Sequence, residues 1–416
     1  AHPTTPQPHN PTTRNPEPAS RIPNLVSRIP QPASRIPKPT TRPMAKLNPT
    51  FCTARLQRLI QHLELHRLDA ILLSDYRDIY YFVGVLLPAD LPVLLVIRND
   101  GSTTLLGPAD FTADDVDTHL TYEWNVQGTR HPDPVAWLLK TLQQNVFDSQ
   151  WKRLGIQSES FLYGLLAALP SSAQLVPIDA AVCGMQASKD PDEVAIIRES
   201  ILANLGAYEA VRRAIRPGVS ELNVLAAGIR GAMETAGEKV FHDGDYQCGQ
   251  FNGPARKRSI EAGELYIVDA WTCYRGYWSD MSRTFVVGRE PTDEQQGLFD
   301  HIRSVQNRIP QLLRPGVDGS EVFQALDEMI REHPPLADKG LVHHGGHASG
   351  LRAHEMPDIN LERGGKLEPG NVICVEPGGY FDEARQGVRL ENMYLITADG
   401  CEDLCAGEVE LHRCGY

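Results

Sequence analysis

Four acidic residues in this 416-residue chain stand where strands should be apolar. Asp269 closes the run Leu265-Tyr266-Ile267-Val268, and Asp280 lies within the β-rich segment Gly276 to Val287. Tyr274-Arg275-Gly276 between them is short enough for a hairpin. If the loop is residues 274–275, Asp269 is directly opposite Asp280, with Cβ atoms about 5 Å apart. Facing carboxylates repel, and an apolar sheet tolerates them if one proton is shared or a cation sits between them. The plainer alternative is an Asp at a strand end, facing water. Glu376 and Glu391 then end or interrupt two further apolar strands, Asn371 to Val375 and Val388 to Tyr394. An isolated Glu in that setting usually faces solvent, whereas four strand carboxylates together suggest a cation.

An imidazole source lies nearby. Leu341 to Glu355 carries His343, His344, His347 and His354 among three glycines, where backbone can pass close to a ligand. His354-Glu355-Met356-Pro357-Asp358 lacks the second His of H-E-x-x-H, which excludes the helical zinc-protease site. His344 is expected to be an ordinary loop residue. Cys401, Cys405, His412 and Cys414 match no common zinc spacing and are expected to be incidental.

With these residues in order, the sequence resembles the pita-bread (M24) metallopeptidase family, in its Xaa-Pro aminopeptidase, prolidase and creatinase branch, over about residues 50–416. The resemblance implies metal ligands Asp269, Asp280, His347, Glu376 and Glu391, with Asp280 and Glu391 bridging two divalent ions. Four carboxylates balance two such ions, and oxygen-rich ligation with one imidazole suits Mn²⁺, with Co²⁺, Zn²⁺ or Fe²⁺ as alternatives. Such a pair activates a water and polarises a carbonyl. The resemblance also implies that Glu376 shuttles the proton, His354 steadies the tetrahedral intermediate, His343 faces substrate and Arg389 orients the carboxylates. The chain departs from the family pattern at Asn252, where a histidine is usual, and at Trp271, where glycine is common; His242 replaces the missing histidine only if the alignment slips. The implied activity is release of an N-terminal residue from an Xaa-Pro peptide or dipeptide. The two departures favour, as an alternative, creatinase-like hydrolase or lyase chemistry on a small non-peptide metabolite; a non-catalytic binding protein is the third reading. Relatives with the N-terminal domain are often homodimers or larger, which implies a homo-oligomer here.

Two sets of elements must position these groups. Arg55 to His66 has Leu56, Leu59, Ile60 and Leu63 at helical spacing, followed by a strand at Ala70 to Leu73 and a loop with a tyrosine pair at Asp75 to Gly84. Leu91 to Arg98 and Thr103 to Leu106 form a hairpin around Asn99-Asp100-Gly101, and a helix at Asp133 to Phe147 precedes a strand at Arg153 to Gln157. This alternation predicts a small α/β domain at 50–182. Beyond it, helices at 193–213, 220–236, 293–313 and 321–332 are divided by two Arg-Pro-Gly-Val copies, Arg216 to Val219 and Arg314 to Val317. This weak repeat predicts a duplicated α+β half at 186–416 with pseudo-twofold symmetry, which in the resembled family is the pita-bread domain.

Composition limits the remaining possibilities. Net charge is -13, but residues 1–43 hold six Arg/Lys against Glu17, about +5, so the rest carries -13 minus +5, about -18. An acidic body argues against broad binding to nucleic acid or to an anionic membrane, and no apolar run approaches the 18 or so residues of a membrane helix. Residues 1–49 read as a Pro-rich tail with Ser-Arg-Ile-Pro at 20–23, 27–30 and 34–37. Its composition is that of a transit peptide, but proline at this density prevents the amphipathic helix such peptides form. Met44 is a candidate native start. Eight scattered cysteines without disulfide spacing favour a reducing, cytoplasmic setting.

Overall fold

The structure is a computed structural model describing residues 45–126, 129–130, 133–160, 163–380, 386–405 and 410–415. The Ser-Arg-Ile-Pro repeats and Met44 lie outside the described residues.

Helix α1 (Pro49–Leu65) starts where Asn48 accepts from the Thr50 N–H and buries Leu56, Leu59 and Leu63, the face expected from their spacing. It is followed by β1 (Ala70–Leu73), α2 (Tyr76–Val83), β2 (Leu94–Arg98), β3 (Thr103–Pro108), β4 (Thr118–Tyr122), a two-residue ladder of β5 (Asn125–Val126) and β6 (Thr129–Arg130), α3 (Pro134–Asn145), β7 (Arg153–Ile156), β8 (Gln174–Pro177) and α4 (Asp179–Ala187). The main sheet runs β4-β3-β2-β1-β7-β8, antiparallel across β1/β2 and β2/β3 and parallel elsewhere. The expected loop at 75–84 is instead helix α2, capped by the Asp75 side chain accepting from the Arg77 N–H. Residues 78–83 of α2 are all buried, so it has no polar face and its periodicity is invisible in sequence. The expected boundary at 182–186 falls within α4.

The second half repeats a helix pair followed by antiparallel strands. Helices α5 (Pro191–Ala214) and α6 (Glu221–Ala236) precede β9 (Phe241–Asp245), β10 (Leu265–Tyr274) and β11 (Tyr277–Val287). Helices α7 (Asp293–Arg308) and α8 (Gly319–Arg331) precede β12 (Gly346–Ala348), β13 (Glu355–Ile359), β14 (Val372–Val375), β15 (Gly378–Tyr380), β16 (Gly387–Arg389), β17 (Asn392–Ile396), β18 (Cys401–Asp403) and β19 (His412–Cys414). The sheets are ordered β19-β11-β10-β9 and β13-β12-β14-β17-β18, with β15-β16 a separate pair. Helix α7 stops earlier than expected, passing into a 3-10 turn at Ile309–Gln311 where Pro310 has no N–H for the helical ladder.

Helix α5 closes one face of the β10/β11 hairpin. Ser200 Oγ donates to the Thr272 carbonyl (2.8 Å), Asn204 Nδ2 to Ala270 (2.6 Å) and the Tyr208 hydroxyl to Val268 (3.0 Å). The opposite face carries the acids.

Candidate metal centre

The hairpin differs by one step from its expected register. The turn is Arg275-Gly276, both with positive φ (48° and 86°), so Tyr274 pairs with Tyr277. Such a two-residue turn matches strand twist, and glycine adopts its second position without strain. Asp269 therefore pairs with Ser282 and Asp280 with Trp271. The two acids are not directly opposite, as expected, but diagonal on one face. Glu391 reaches them through a bridge to Ser282, its N–H donating to the Ser282 carbonyl at 3.1 Å. One carboxylate oxygen from each of Asp269, Asp280 and Glu391 lies within 4.8 Å of the others, and all three residues are buried.

His347 enters from β12. A Cβ on Gly346 would stand 1.9 Å from the Cys374 carbonyl oxygen, so only glycine lets β12 pass this close to β14. His347 Nδ1 lies 3.0 Å from the Ala348 carbonyl and is thereby the donor nitrogen, leaving the Nε2 lone pair 3.9 Å from Asp280 Oδ2. The His354 ring stacks on His347, with centroids 3.6 Å apart and planes 12° from parallel. Glu376 follows β14 and donates its N–H to the Gly345 carbonyl (3.0 Å).

Arg389 ties the acids together. Its Nη1 donates to Asp269 Oδ2 (2.5 Å) and lies 3.5 Å from Glu376 Oε2, and its Nε donates to the Tyr380 hydroxyl (3.1 Å). That hydroxyl also meets His343 Nε2 at 2.7 Å. His343 Nδ1 is 3.8 Å from Glu376 Oε2.

Burial pushes the Asp280 carboxyl well above the usual range, and the charges of Asp269 and Glu376 add to this. Glu391 is raised in the same way, by burial and then by Asp280 and Asp269. Burial lifts Glu376 to about 8, against the pull of Arg389. His343 and His347 are both lowered to about 3, mainly by burial, and are neutral. Asp280 Oδ1 is buried with no hydrogen-bond partner among the described residues. Acids raised by burial and then by one another's charge, a neutral imidazole and an orphaned carboxylate oxygen fit divalent cations, which would replace the missing positive charge.

The structure thus brings together all eight residues singled out in the sequence: Asp269, Asp280, His347, Glu376, Glu391, His343, His354 and Arg389. Four others were missed or discounted. His344 lies on its loop but turns its Nδ1 to within 3.3 Å of Glu376 Oε1, so the expectation of an ordinary loop residue is corrected. Tyr380 stands four residues beyond Glu376, and no chemical signal marked it. Asp245 pairs with Asp269 across β9/β10 and shares its face. Cys374 lies in a buried group with His347 and Glu391. His242, by contrast, pairs with Thr272 on the helix-covered face, bonding the Thr272 and Tyr246 hydroxyls at 2.8 Å each, and does not stand in for Asn252. Among the described residues, no candidate ligand cluster uses Cys401, Cys405, His412 or Cys414.

A cluster of this composition, set on a doubled helix-pair and sheet scaffold, has the donors of a divalent-metal hydrolase. Residues 195–398 match metallopeptidase family M24, and residues 55–185 match the creatinase/prolidase N-terminal domain. The chain is 31% identical over 286 residues to an uncharacterized peptidase, YqhT, of Bacillus subtilis, covering 66% of this chain and 78% of the relative. It is 27% identical over 365 residues to a Pyrococcus horikoshii Xaa-Pro dipeptidase, covering 86% and 98%. The crystal structure of the Pyrococcus horikoshii prolidase superposes with a TM-score of 0.71 at 25% identity, over 86% of this chain and 99% of that one. The chain belongs to metallopeptidase family M24, and it is a metal-dependent peptidase of the hydrolase class. No helix among the described residues is long and apolar enough to cross a membrane.

Proposed function

We propose that this peptidase acts before proline, releasing the N-terminal residue of an Xaa-Pro peptide or dipeptide, with Asp269, Asp280, His347, Glu376 and Glu391 holding two divalent ions. The observation that carries the assignment is the buried cluster in which Asp269, Asp280 and Glu391 oxygens lie within 4.8 Å of one another beside a neutral His347. When bound, the ions supply a polarised scissile carbonyl and an activated water. Mn²⁺ suits the oxygen-rich donors best, ahead of Co²⁺, Zn²⁺ and Fe²⁺.

The remaining chemistry belongs to side chains. Glu376, whose Oε2 lies 3.8 Å from His343 Nδ1 and 3.5 Å from Arg389 Nη1, takes the proton of the attacking water and passes it to the leaving nitrogen. His354 donates to the carbonyl oxygen as it becomes anionic. His343, held by Tyr380, faces the substrate. Arg389 fixes the positions of Asp269 and Glu376.

Trp271 favours a second reading, hydrolysis or lyase action on a small non-peptide metabolite, because it lies half-buried on the face of the acids, directly across from Asp280. We further propose a tail at 1–49, an α/β domain at 50–182 and a catalytic domain at 186–416, assembled as a homodimer or larger in the reducing cytoplasm, where the eight free cysteines persist. The test is a panel of Xaa-Pro and non-proline dipeptides offered to Mn²⁺-loaded protein. Turnover confined to the Xaa-Pro members is expected; absence of turnover by metal-replete protein would sink the peptide assignment.

A further inference from the structure

His354 is carried on a short loop, Ser349 to His354, whose outer side is gripped by the N-terminal half of the chain. Two residues before His354, the Arg352 guanidinium reaches 274 positions back in sequence to helix α2. Its Nη1 donates to Asp78 Oδ1 (3.2 Å) and its Nη2 to Asp78 Oδ2 (3.1 Å), a two-pronged pair. Asp78 is 1% exposed. Gln186 Nε2 donates to Asp78 Oδ1 (2.7 Å), Gln157 Nε2 donates to Asp78 Oδ2, and Gln186 Oε1 accepts from Arg352 Nη1 (3.0 Å). Asp75 Oδ2 lies 3.7 Å from Arg352 Nη2. On the other flank of His354, the Glu355 carboxylate accepts from buried Lys189 Nζ (2.7 Å) and from the Arg352 N–H (3.0 Å). Among the described residues the His354 ring has no hydrogen-bond partner, and it is located by the stack on His347.

We propose that Asp78 is a positioning residue for turnover: through Arg352, the N-terminal α/β half sets the loop that holds His354 stacked on His347. This rests on the role given to His354 above. A guanidinium fork on a carboxylate fixes both the direction and the distance of the loop, whereas a single hydrogen bond leaves it free to pivot. A shift of about 1 Å in a group that must meet a developing charge costs up to about 10²-fold in rate. The clamp touches neither substrate nor the acidic cluster, so its effect falls on kcat and leaves metal loading unchanged.

The test is a cycle of Asp78→Asn, His354→Ala and the double variant, measured on Mn²⁺-loaded full chain with Ala-Pro, together with the crystal structure of the Asp78→Asn protein. Asp78→Asn is expected to lower kcat about tenfold with KM and metal content unchanged, and to cost less than about twofold in the His354→Ala background. In the crystal the two rings should no longer stack. Arg352→Lys, which keeps the charge and loses the fork, takes the same place in the cycle if Asp78→Asn does not fold. Equal losses in both backgrounds, unchanged kcat, or a His347–His354 stack preserved in the variant would each overturn the proposal. Full kcat in His354→Ala would instead remove the role of His354, and the proposal with it. Should Ala-Pro not be turned over, the ring stack alone decides the proposal, separately from the peptidase assignment.

Discussion

His242 offers a direct test of which face of the β9–β11 sheet does chemistry. Its ring is buried between Thr272 and Tyr246, and burial lowers its pKa from 6.5 to about 4. The unfolded chain therefore binds a proton that the folded chain refuses between those values, and stability falls as the pH drops through that window. Integrating from neutral pH to pH 5 gives a loss of about 2 kcal/mol from this one group, approaching about 3 kcal/mol below pH 4. His242→Gln retains a donor and an acceptor for the two hydroxyls but has nothing to protonate. Urea unfolding of the parent and the variant at pH 7.5 and pH 5 isolates the difference, since every other titrating group is shared. The parent should lose about 2 kcal/mol more than the variant between the two pH values, while kcat/KM at pH 7.5 stays within about twofold. An identical acid dependence in the two proteins, with turnover lost in the variant, would show that His242 faces substrate and that its assignment to the helix side is mistaken.

Other substitutions probe the site and its support. Asp280→Ala and Glu391→Ala should each reduce bound transition metal below one ion per chain after Mn²⁺ reconstitution and abolish turnover, as read by metal analysis and dipeptide assay; full activity in either would refute their placement as ligands. His354→Ala should keep its metal and lose about 10²–10³ in kcat, the usual cost of removing a donor to a developing oxyanion. Arg55 is fully buried and faces Asp190 (3.0 Å), Asp192 (2.5 Å) and Glu193 (3.1 Å). Arg55→Met, which strands these carboxylates, should destabilise by about 3–5 kcal/mol in urea unfolding. Burial already lifts Glu193 to about 7, so its contribution to stability falls as pH rises from the ordinary carboxylate range toward 7. Loss of Arg55 should extend that fall to higher pH, and a flat difference between variant and parent from pH 6 to 8 would count against the pairing.

Local signals were legible where one face of an element is buried and the other is wet. The α1 stripe and the Asn99-Asp100-Gly101 hairpin, whose strands are β2 and β3, appear at their expected places because alternation and turn chemistry act over a few residues. Helix α2 did not, because its buried surround removes the polar contrast on which periodicity depends. The register of β10 and β11 turned on which two residues can take positive φ, a choice between 274–275 and 275–276 that hydrophobic pattern cannot make.

For the site, residue type and order singled out candidates, four acids in apolar strands and four histidines in a glycine-rich stretch, and the family resemblance chose His347 among the histidines and added the arginine two residues before the last acid. These are chemical properties carried by each side chain wherever it folds. What only the tertiary structure decided is which neighbours each group has. The diagonal placement of Asp269 and Asp280, the turning of His344 toward Glu376, the burial of His242 on the far face and the grip of Asp78 on Arg352 all join positions distant in sequence. Contacts of that kind arise from packing of whole elements, and no short stretch of sequence encodes them.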